Sequence, residues 1–196
     1  GTRVHGVMPQ KIDYSVEAAY QTGSTETGPA TKVDVGAYLV AAEAGVTFGS
    51  EARPVRLGAG FDYLSGDDDA TDNEMNTFNT LFADMHHFYG LMDIPLLSDA
   101  GLQDIKLDLQ GTVFHSADHK VVVAGEVHNF RLARAGDAAG SLGTEVDVHA
   151  RWAYHDRYVP TVGVSVFMPG DGMAGPEPGV EADNAYWFYA QGTVTF

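Results

Sequence analysis

The chain has 196 residues, of which 44% are hydrophobic, and its formal net charge at pH 7 is −16. Such a negative charge argues against nucleic acid as a partner, because acidic side chains repel the phosphate backbone. A membrane-spanning helix needs about 18 consecutive apolar residues, and no stretch of this sequence is that long, so a helical membrane protein is excluded.

Apolar and polar residues alternate with a period of two in many short segments, which is the pattern of β-strands. Near the start, for example, Tyr14 and Val16 alternate with Ser15 and Glu17. In chain order, the predicted strands lie at 3–8, 14–21, 38–48, 55–63, 104–114, 121–128, 144–154, 161–168 and 185–196. The chain is therefore predicted to be all-β, with about nine strands.

The predicted strand at 144–154 shows the alternation most clearly. Val146 and Val148 lie on one face, whereas Glu145, Asp147 and Arg151 lie on the other. A water-soluble β-sandwich also has one solvated face, so this strand alone fits either a sandwich or a membrane barrel. The choice between the two depends on how the pattern recurs along the chain.

The connections between the predicted strands alternate strictly between short and long. The short ones are 9–11, 49–53, 117–119 and 155–157, and the long ones are 23–31, 66–101, 133–140 and 169–184. Outer-membrane barrels have short periplasmic turns and long external loops, whereas a soluble sandwich has no reason to keep this order. The same order predicts that the carboxyl terminus lies on the periplasmic side.

Aromatic residues on the apolar face fall at the two ends of the predicted strands. Those near the long loops are Tyr20, Tyr38, Tyr63 and Tyr186, and those near the short turns are Tyr14, Phe48, Trp152, Tyr154 and Phe196. Two aromatic girdles around an aliphatic band are typical of a barrel that crosses a membrane. The pattern therefore predicts a transmembrane antiparallel β-barrel in a bacterial outer membrane, with a soluble β-sandwich as the alternative.

The chain also resembles the alginate export family of outer-membrane barrels. The resemblance is strongest in 60–93, where the matching positions are Tyr63, Ser65, Gly66, Asp67, Asp68, Asp69, 76–78, Leu81, Phe82, His87 and 89–93. The segments 13–23 and 142–148 and the final strand are similar too. The matching region is the carboxyl-terminal half of such a protein, whose barrel has about eighteen strands.

This resemblance implies that residues 1–196 form one barrel unit, and about half of the complete barrel. The expected partners are outer-membrane lipids, a hydrophilic solute, and a remaining barrel segment or another chain that completes the barrel. The implied function is a porin-like channel for passive passage of ions or of small or polymeric hydrophilic solutes. An enzyme is not expected.

The polar face of the predicted strands is expected to line the pore. Its ionisable residues are Arg3, Glu17, Glu43, Arg56, Asp62, Asp104, Lys106, Asp108, Glu126, His128, Glu145, Asp147, His149 and Arg151. Acidic side chains outnumber basic ones in this set. A conduit for a polyanion needs a basic lumen, so this set favours cations or neutral solutes over alginate.

The long connection 66–101 carries two further predictions. Asp67, Asp68, Asp69 and Asp72 offer oxygen ligands suited to Ca²⁺, although their spacing is not that of an EF-hand, and no other cofactor is expected. The rest of the segment is predicted to fold into the lumen as a constriction. The residues predicted to pack against the barrel wall are Phe82, His87, Phe88 and Tyr89.

Two other functions stay open at this point. One is a scaffold or adhesin that binds partner proteins through its external loops. The other, less favoured, is an outer-membrane hydrolase that uses Ser165 with His149 and Asp147. Against the hydrolase, Ser165 lies in no strained turn of the kind that exposes a catalytic nucleophile.

Overall fold

The computed structural model describes residues 1–28, 31–69, 71–81, 88–94, 96–134, 140–155, 157–173 and 182–196. These residues are mostly in β-strands, as the two-residue alternation predicts. The strands are β1 (Thr2–Val7), β2 (Ile12–Gly28), β3 (Thr31–Ser50), β4 (Arg53–Leu64), β5 (Glu74–Met75), β6 (Leu102–His115), β7 (His119–Arg131), β8 (Ser141–Tyr154), β9 (Tyr158–Pro169) and β10 (Ala185–Val194). The prediction of an all-β chain with about nine main strands is confirmed.

All strands belong to one sheet, whose order follows the chain: β1-β2-β3-β4-β6-β7-β8-β9-β10. Each neighbouring pair in this order is antiparallel. The two-residue strand β5 is different, because it lies in the long connection and pairs in parallel with β3. In the described part of the chain the sheet is open, with β1 and β10 at its edges, which is consistent with one part of a larger barrel.

The two faces of the sheet differ in polarity as the alternation predicts. On the outer face, Leu107 is 57% exposed and Val164 is 52% exposed, although both are large and apolar. On the inner face, Asp104 and Glu145 are buried. An apolar belt of this extent is unusual on a protein surrounded by water and is typical of a lipid-facing surface.

Helices contribute little to this fold. A single turn of 3-10 helix follows β9 at Asp171–Met173. Within the described ranges, no helix has the length and apolar character needed to cross a lipid bilayer.

Aromatic side chains cluster at both ends of the outer face. Near the long loops, the rings of Tyr38 and Tyr63 stack with their centroids 5.6 Å apart. Near the short turns, Trp152 donates a hydrogen bond from its indole nitrogen to Nδ1 of His119 at 3.2 Å. Rings that combine an apolar body with a polar tip suit the level of the lipid headgroups.

The prediction of a long loop at 23–31 is largely wrong. Strands β2 and β3 continue as a paired hairpin to Gly28 and from Thr31, so that only residues 29–30 lie between them. The misreading has a physical cause: residues 22–26 are polar on both faces and are mostly exposed, so they lack the alternation that marks a half-buried strand. The hairpin extends past the apolar belt, where both of its faces meet water.

The long connection between β4 and β6 is held against the inner side of the sheet. The side chain of Gln21 in β2 donates to the carbonyl oxygen of Asn79 at 2.6 Å and accepts from its backbone N–H at 2.9 Å. The Ser65 hydroxyl donates to the Asn76 carbonyl at 2.6 Å and accepts from the Tyr38 N–H at 2.8 Å. These bonds tie the connection to β2 and β3.

A hydrophobic core, which we call the apolar cluster, lies at the end of the sheet where the long loops are. The strands supply inner-face residues just beside these loops, and the long connection supplies the rest. Its buried members are Leu64, Tyr89, Leu96, Leu102, Phe130, Leu142 and Phe167. The apolar cluster therefore packs the long connection against the strand ends by burial of apolar surface.

We predict that Leu107→Arg prevents stable insertion into a membrane. Leu107 lies near the middle of β6 on the outer face, where an arginine in a barrel costs about 2–4 kcal/mol. The change in the free energy of unfolding is measured by urea titration of protein folded into lipid vesicles.

The matched control is Gln110→Arg, three positions along the same strand but on the inner face. This variant is expected to insert like the unmodified protein. Equal tolerance of arginine at the two positions would contradict the assignment of the faces.

Candidate functional site

The inner faces of the strands curve around one cavity of about 550 Å³. Its lining begins with Arg3 in β1 and ends with Tyr189 and Gln191 in β10, so both edge strands reach it. The sheet is consequently curled into a trough rather than laid flat. We call this cavity the lumen cavity.

The lumen cavity is rich in carboxylates. Its acidic residues are Glu17, Glu43, Asp62, Asp104, Asp108 and Glu126, and its Lys and Arg residues are Arg3, Arg56 and Lys106. His149 also lines it. Acidic side chains in this lining are therefore twice as numerous as Lys and Arg side chains.

Arg56 is the cation that joins the largest number of strands. One guanidinium nitrogen lies 2.7 Å from the Asp13 carboxylate in β2 and 3.0 Å from the Glu43 carboxylate in β3. Its other terminal nitrogen contacts Asp108 in β6. The Arg56 side chain is 22% exposed, so water screens these interactions only in part.

Two glycines make room for this guanidinium. A side chain on Gly45 would place its Cβ 2.5 Å from the guanidinium carbon of Arg56. A Cβ on Gly58 would meet both Arg56 and the Asp108 carboxylate. A side chain at either position on β3 or β4 would therefore require the guanidinium or the Asp108 carboxylate to shift.

Sequence reasoning did not include Asp13 among the lumen residues. Its position had the necessary signal, because Asp13 has the same parity as Ser15 and Glu17 on the inner face of β2. The predicted strand began at residue 14, whereas the actual strand begins at Ile12. Because the predicted strand began two residues too late, Asp13 was not recognised as a partner of Arg56.

His128 forms the second ionic contact of the lumen wall. Its Nδ1 lies 2.7 Å from the Asp104 carboxylate in β6, and its Nε2 lies 3.5 Å from the Glu126 carboxylate on its own strand. His128 and Asp104 are almost completely buried. Lys106 adds a longer contact of 3.4 Å to Glu43.

Glu145 and Asp147 lie on the inner face of β8, opposite His128 and Glu126 of β7, and are fully buried. One Glu145 oxygen accepts a hydrogen bond from the Met92 N–H at 2.9 Å. Gly90 has a positive φ of 86°, and a Cβ there would lie 2.4 Å from the same carboxylate. The long connection therefore docks its backbone directly onto Glu145.

His149 and Arg151 complete the predicted lumen set on β8. His149 lines the cavity, whereas Arg151 is exposed near the short-turn end. The hydrolase alternative gains no support from this geometry, because Ser165 lies opposite Asp147 in the strand register and the described residues show no hydrogen bond between Ser165 and His149.

The predicted constriction residues separate into two groups. Tyr89 is buried in the apolar cluster, whereas Phe88 is 43% exposed and lines the lumen cavity. Phe82 and His87 lie outside the described residues. Burial raises the pKa of the Tyr89 phenol, and the nearby charges of Asp62 and Asp104 raise it further, so this side chain stays neutral.

Sequence reasoning missed the apolar members of the lumen wall. Leu64, Leu102, Phe130 and Phe167 all have the parity of the charged inner face, and each occupies the inner position next to a long loop. Each of these apolar residues lies at a position that the alternation assigns to the polar face, and this mismatch could have identified them. Four strands show this mismatch at the same end, which indicates a covered lumen there.

The acidic residues of the long connection mainly cap turns. Asp67 accepts from the Asp69 and Asn76 N–H groups, and Asp69 accepts from Thr71. The hydrogen bonds from Thr71 hold the pKa of the Asp69 carboxyl below its usual range. Asp72 accepts from the Glu74 N–H.

Asp68 instead lies 3.7 Å from the Arg134 guanidinium. Among the described residues, no three His, Asp or Glu side chains converge on one metal position. The Ca²⁺ site at Asp67, Asp68, Asp69 and Asp72 therefore stays a prediction.

We predict that Arg56→Met lowers the free energy of unfolding by about 2–3 kcal/mol, because Asp13, Glu43 and Asp108 lose the cation they share. Urea unfolding in detergent micelles measures the change. The control is Arg151→Met, an exposed position with an expected effect of about 0.5 kcal/mol or less. Similar losses for the two variants would show that the Arg56 network does not stabilise the wall.

Comparison with known protein families identifies a match over most of the chain. The profile of the family described as alginate export matches residues 1–187, a range that runs from before β1 into β10. Searches of curated proteins and of solved structures gave no significant match. Since the family match covers nearly all of the sheet, the chain belongs to the alginate export family, a family of outer-membrane transport proteins.

Proposed function

We propose that the protein forms a passive, porin-like channel through the bacterial outer membrane, with an acidic lumen that carries ions or hydrophilic solutes. The observation that carries this proposal is the lumen cavity itself. Its polar lining extends across the sheet from β1 to β10, while the opposite face of the same strands is apolar. A water-filled membrane pore requires a wall with a polar inner face and an apolar outer face.

The charge of the lining favours cations and neutral solutes over a polyanion. Two of the three Lys and Arg residues of the lining, Arg56 and Lys106, are already paired with carboxylates of the wall, which leaves Arg3 to meet an anionic substrate. Carboxylates such as Asp62 and Glu126 face the same cavity. A polymer of uronate groups entering this region would meet like charge at close range.

A complete barrel requires strands beyond this sheet. The described sheet has open edges at β1 and β10, and unpaired backbone groups are unfavourable in lipid. We propose that further strands, from a remaining barrel segment or from another chain, pair with these edges. The short turns and the carboxyl terminus then face the periplasm, and the long connections face outward.

The long connection acts as a constriction in this proposal. The apolar cluster holds it inside the strand ends, and Phe88 projects from it into the lumen cavity. Passage past this point is therefore narrower than elsewhere along the wall.

We expect the protein to conduct in planar lipid bilayers and to prefer cations. Under a KCl gradient of about tenfold, the reversal potential should have the sign of a cation-selective pore. A double variant, Asp62→Asn with Glu126→Gln, removes two carboxylates of the lumen cavity and should reduce this preference.

The matched control is Glu51→Gln, in the exposed turn between β3 and β4, which should leave selectivity unchanged. Absence of any current, both from this chain and from a complete barrel that contains it, would refute the channel. Anion selectivity would refute only the acidic lumen.

Tyr89→Ala is predicted to raise the single-channel conductance, because Tyr89 helps to hold the long connection in the apolar cluster. Phe114→Ala serves as control, since Phe114 is 47% exposed on the outer face of β6. Conductance of single channels at fixed salt gives the comparison. An unchanged value for Tyr89→Ala, with normal folding, would show that the connection does not restrict flow.

A further inference from the structure

Two aromatic rings, which we call the aromatic pair, lie on the inner face of β10. Trp187 and Tyr189 occupy neighbouring inward positions of this strand, and their rings stack with centroids 4.8 Å apart at an angle of 24°. The Tyr189 ring extends over β9, because a Cβ on Gly163 would lie 2.2 Å from one of its carbons. The absence of a side chain at Gly163 leaves room for this ring, and Tyr189 lines the lumen cavity.

A third ring reaches the same cavity from the long connection. Phe88 lines the lumen cavity together with Leu91 of the same segment. Apolar ring surface is thus offered to the cavity both by β10 and by the long connection. The cavity volume of about 550 Å³ lies within the range of sites that bind small organic molecules, which is about 300–1,000 Å³.

The charge beside these rings is negative. Glu126 lines the cavity and lies close enough to the Tyr189 phenol to interact with it electrostatically. His128 contacts both Glu126 and Asp104, so one imidazole is shared by two carboxylates, and the three groups together keep a net negative charge. The ion pairs of the described residues do not include Glu17, another carboxylate of the lining.

Aromatic rings and carboxylates in one cavity fit an organic cation better than other solutes. An inorganic cation would use the carboxylates alone, and among the described residues no three acidic or histidine side chains converge to hold one. A neutral sugar would pack on the rings but would gain nothing from the negative charge. An alkylammonium ion gains from both, because the negative face of an aromatic ring attracts a cation within about 6 Å of the ring centroid.

We propose that the lumen cavity binds small organic cations of the alkylammonium class through the aromatic pair, Phe88 and Glu126. This inference rests on the proposed channel function and names the class of solute that the channel prefers. The alkyl groups of the solute contact the rings, and the carboxylates of the wall balance its charge. Contacts of this kind are weak enough individually for the solute to leave again, which passage through a channel requires.

The experiment titrates the full chain in non-ionic detergent micelles with tetraethylammonium, at constant ionic strength, and follows tryptophan fluorescence. The chain has two tryptophans, of which Trp187 belongs to the aromatic pair and Trp152 is exposed on the outer face. We expect a saturable change in emission. Tyr189→Leu should weaken the apparent affinity by about threefold to tenfold, whereas Tyr189→Phe, which keeps the ring, should change it by less than about twofold.

Phe188→Leu is the matched control, because Phe188 precedes Tyr189 in β10 but is 68% exposed on the outer face. Its affinity for tetraethylammonium should equal that of the unmodified protein. The proposal is overturned if no saturable change occurs, if Tyr189→Leu and Tyr189→Phe bind equally well, or if neutral maltose saturates the site and tetraethylammonium does not. Should Tyr189→Leu fail to fold, Glu126→Gln decides: it should weaken binding by about twofold to fivefold, and an unchanged affinity overturns the proposal.

The same solute separates this inference from the channel itself. In planar bilayers, tetraethylammonium should reduce the potassium current in a saturable manner. Saturable binding in micelles without any current in bilayers would support the site and contradict the channel. A potassium current without saturable binding would contradict only the organic-cation site.

Discussion

Strand register is the constraint on which the rest of this structure depends. Side chains alternate with a period of two, so the pairing of each strand decides which of its residues face the lumen. In β8, a slip of one residue would turn Glu145 and Asp147 outward and bring Val146 and Val148 inside. Charged groups on the outer face would then meet lipid, which makes the observed register strongly preferred.

Once the register is set, the lumen wall is held together by charge as well as by backbone pairing. Arg56 reaches carboxylates on both sides of its own strand, and His128 contacts Asp104 on the neighbouring strand and Glu126 on its own. Each contact joins positions that the register had already brought together. The remaining acidic groups line the same cavity, so the proposed cation preference rests on the set of residues that holds the wall together.

Along the strands, the inner face changes from charged in its middle to apolar at the long-loop end. The change allows the long connection to bury Tyr89 and Leu96 against the strand ends, where the hydrophobic effect holds it. At the boundary between the two regions, Gly90 and Met92 meet the Glu145 carboxylate through backbone atoms. Polar and apolar contacts therefore fix the same segment from two directions.

Local alternation in the sequence was enough to predict the strands and their two faces, because side-chain direction in a strand repeats every two residues. The same alternation was less reliable where both faces of a strand meet water, as in the β2–β3 hairpin. It also failed at strand boundaries, so that Asp13 was missed. The partners of Arg56, the docking of Gly90 on Glu145 and the apolar cluster were decided by the tertiary structure. These contacts join residues far apart in the chain, and only strand register and the path of the long connection bring such residues together.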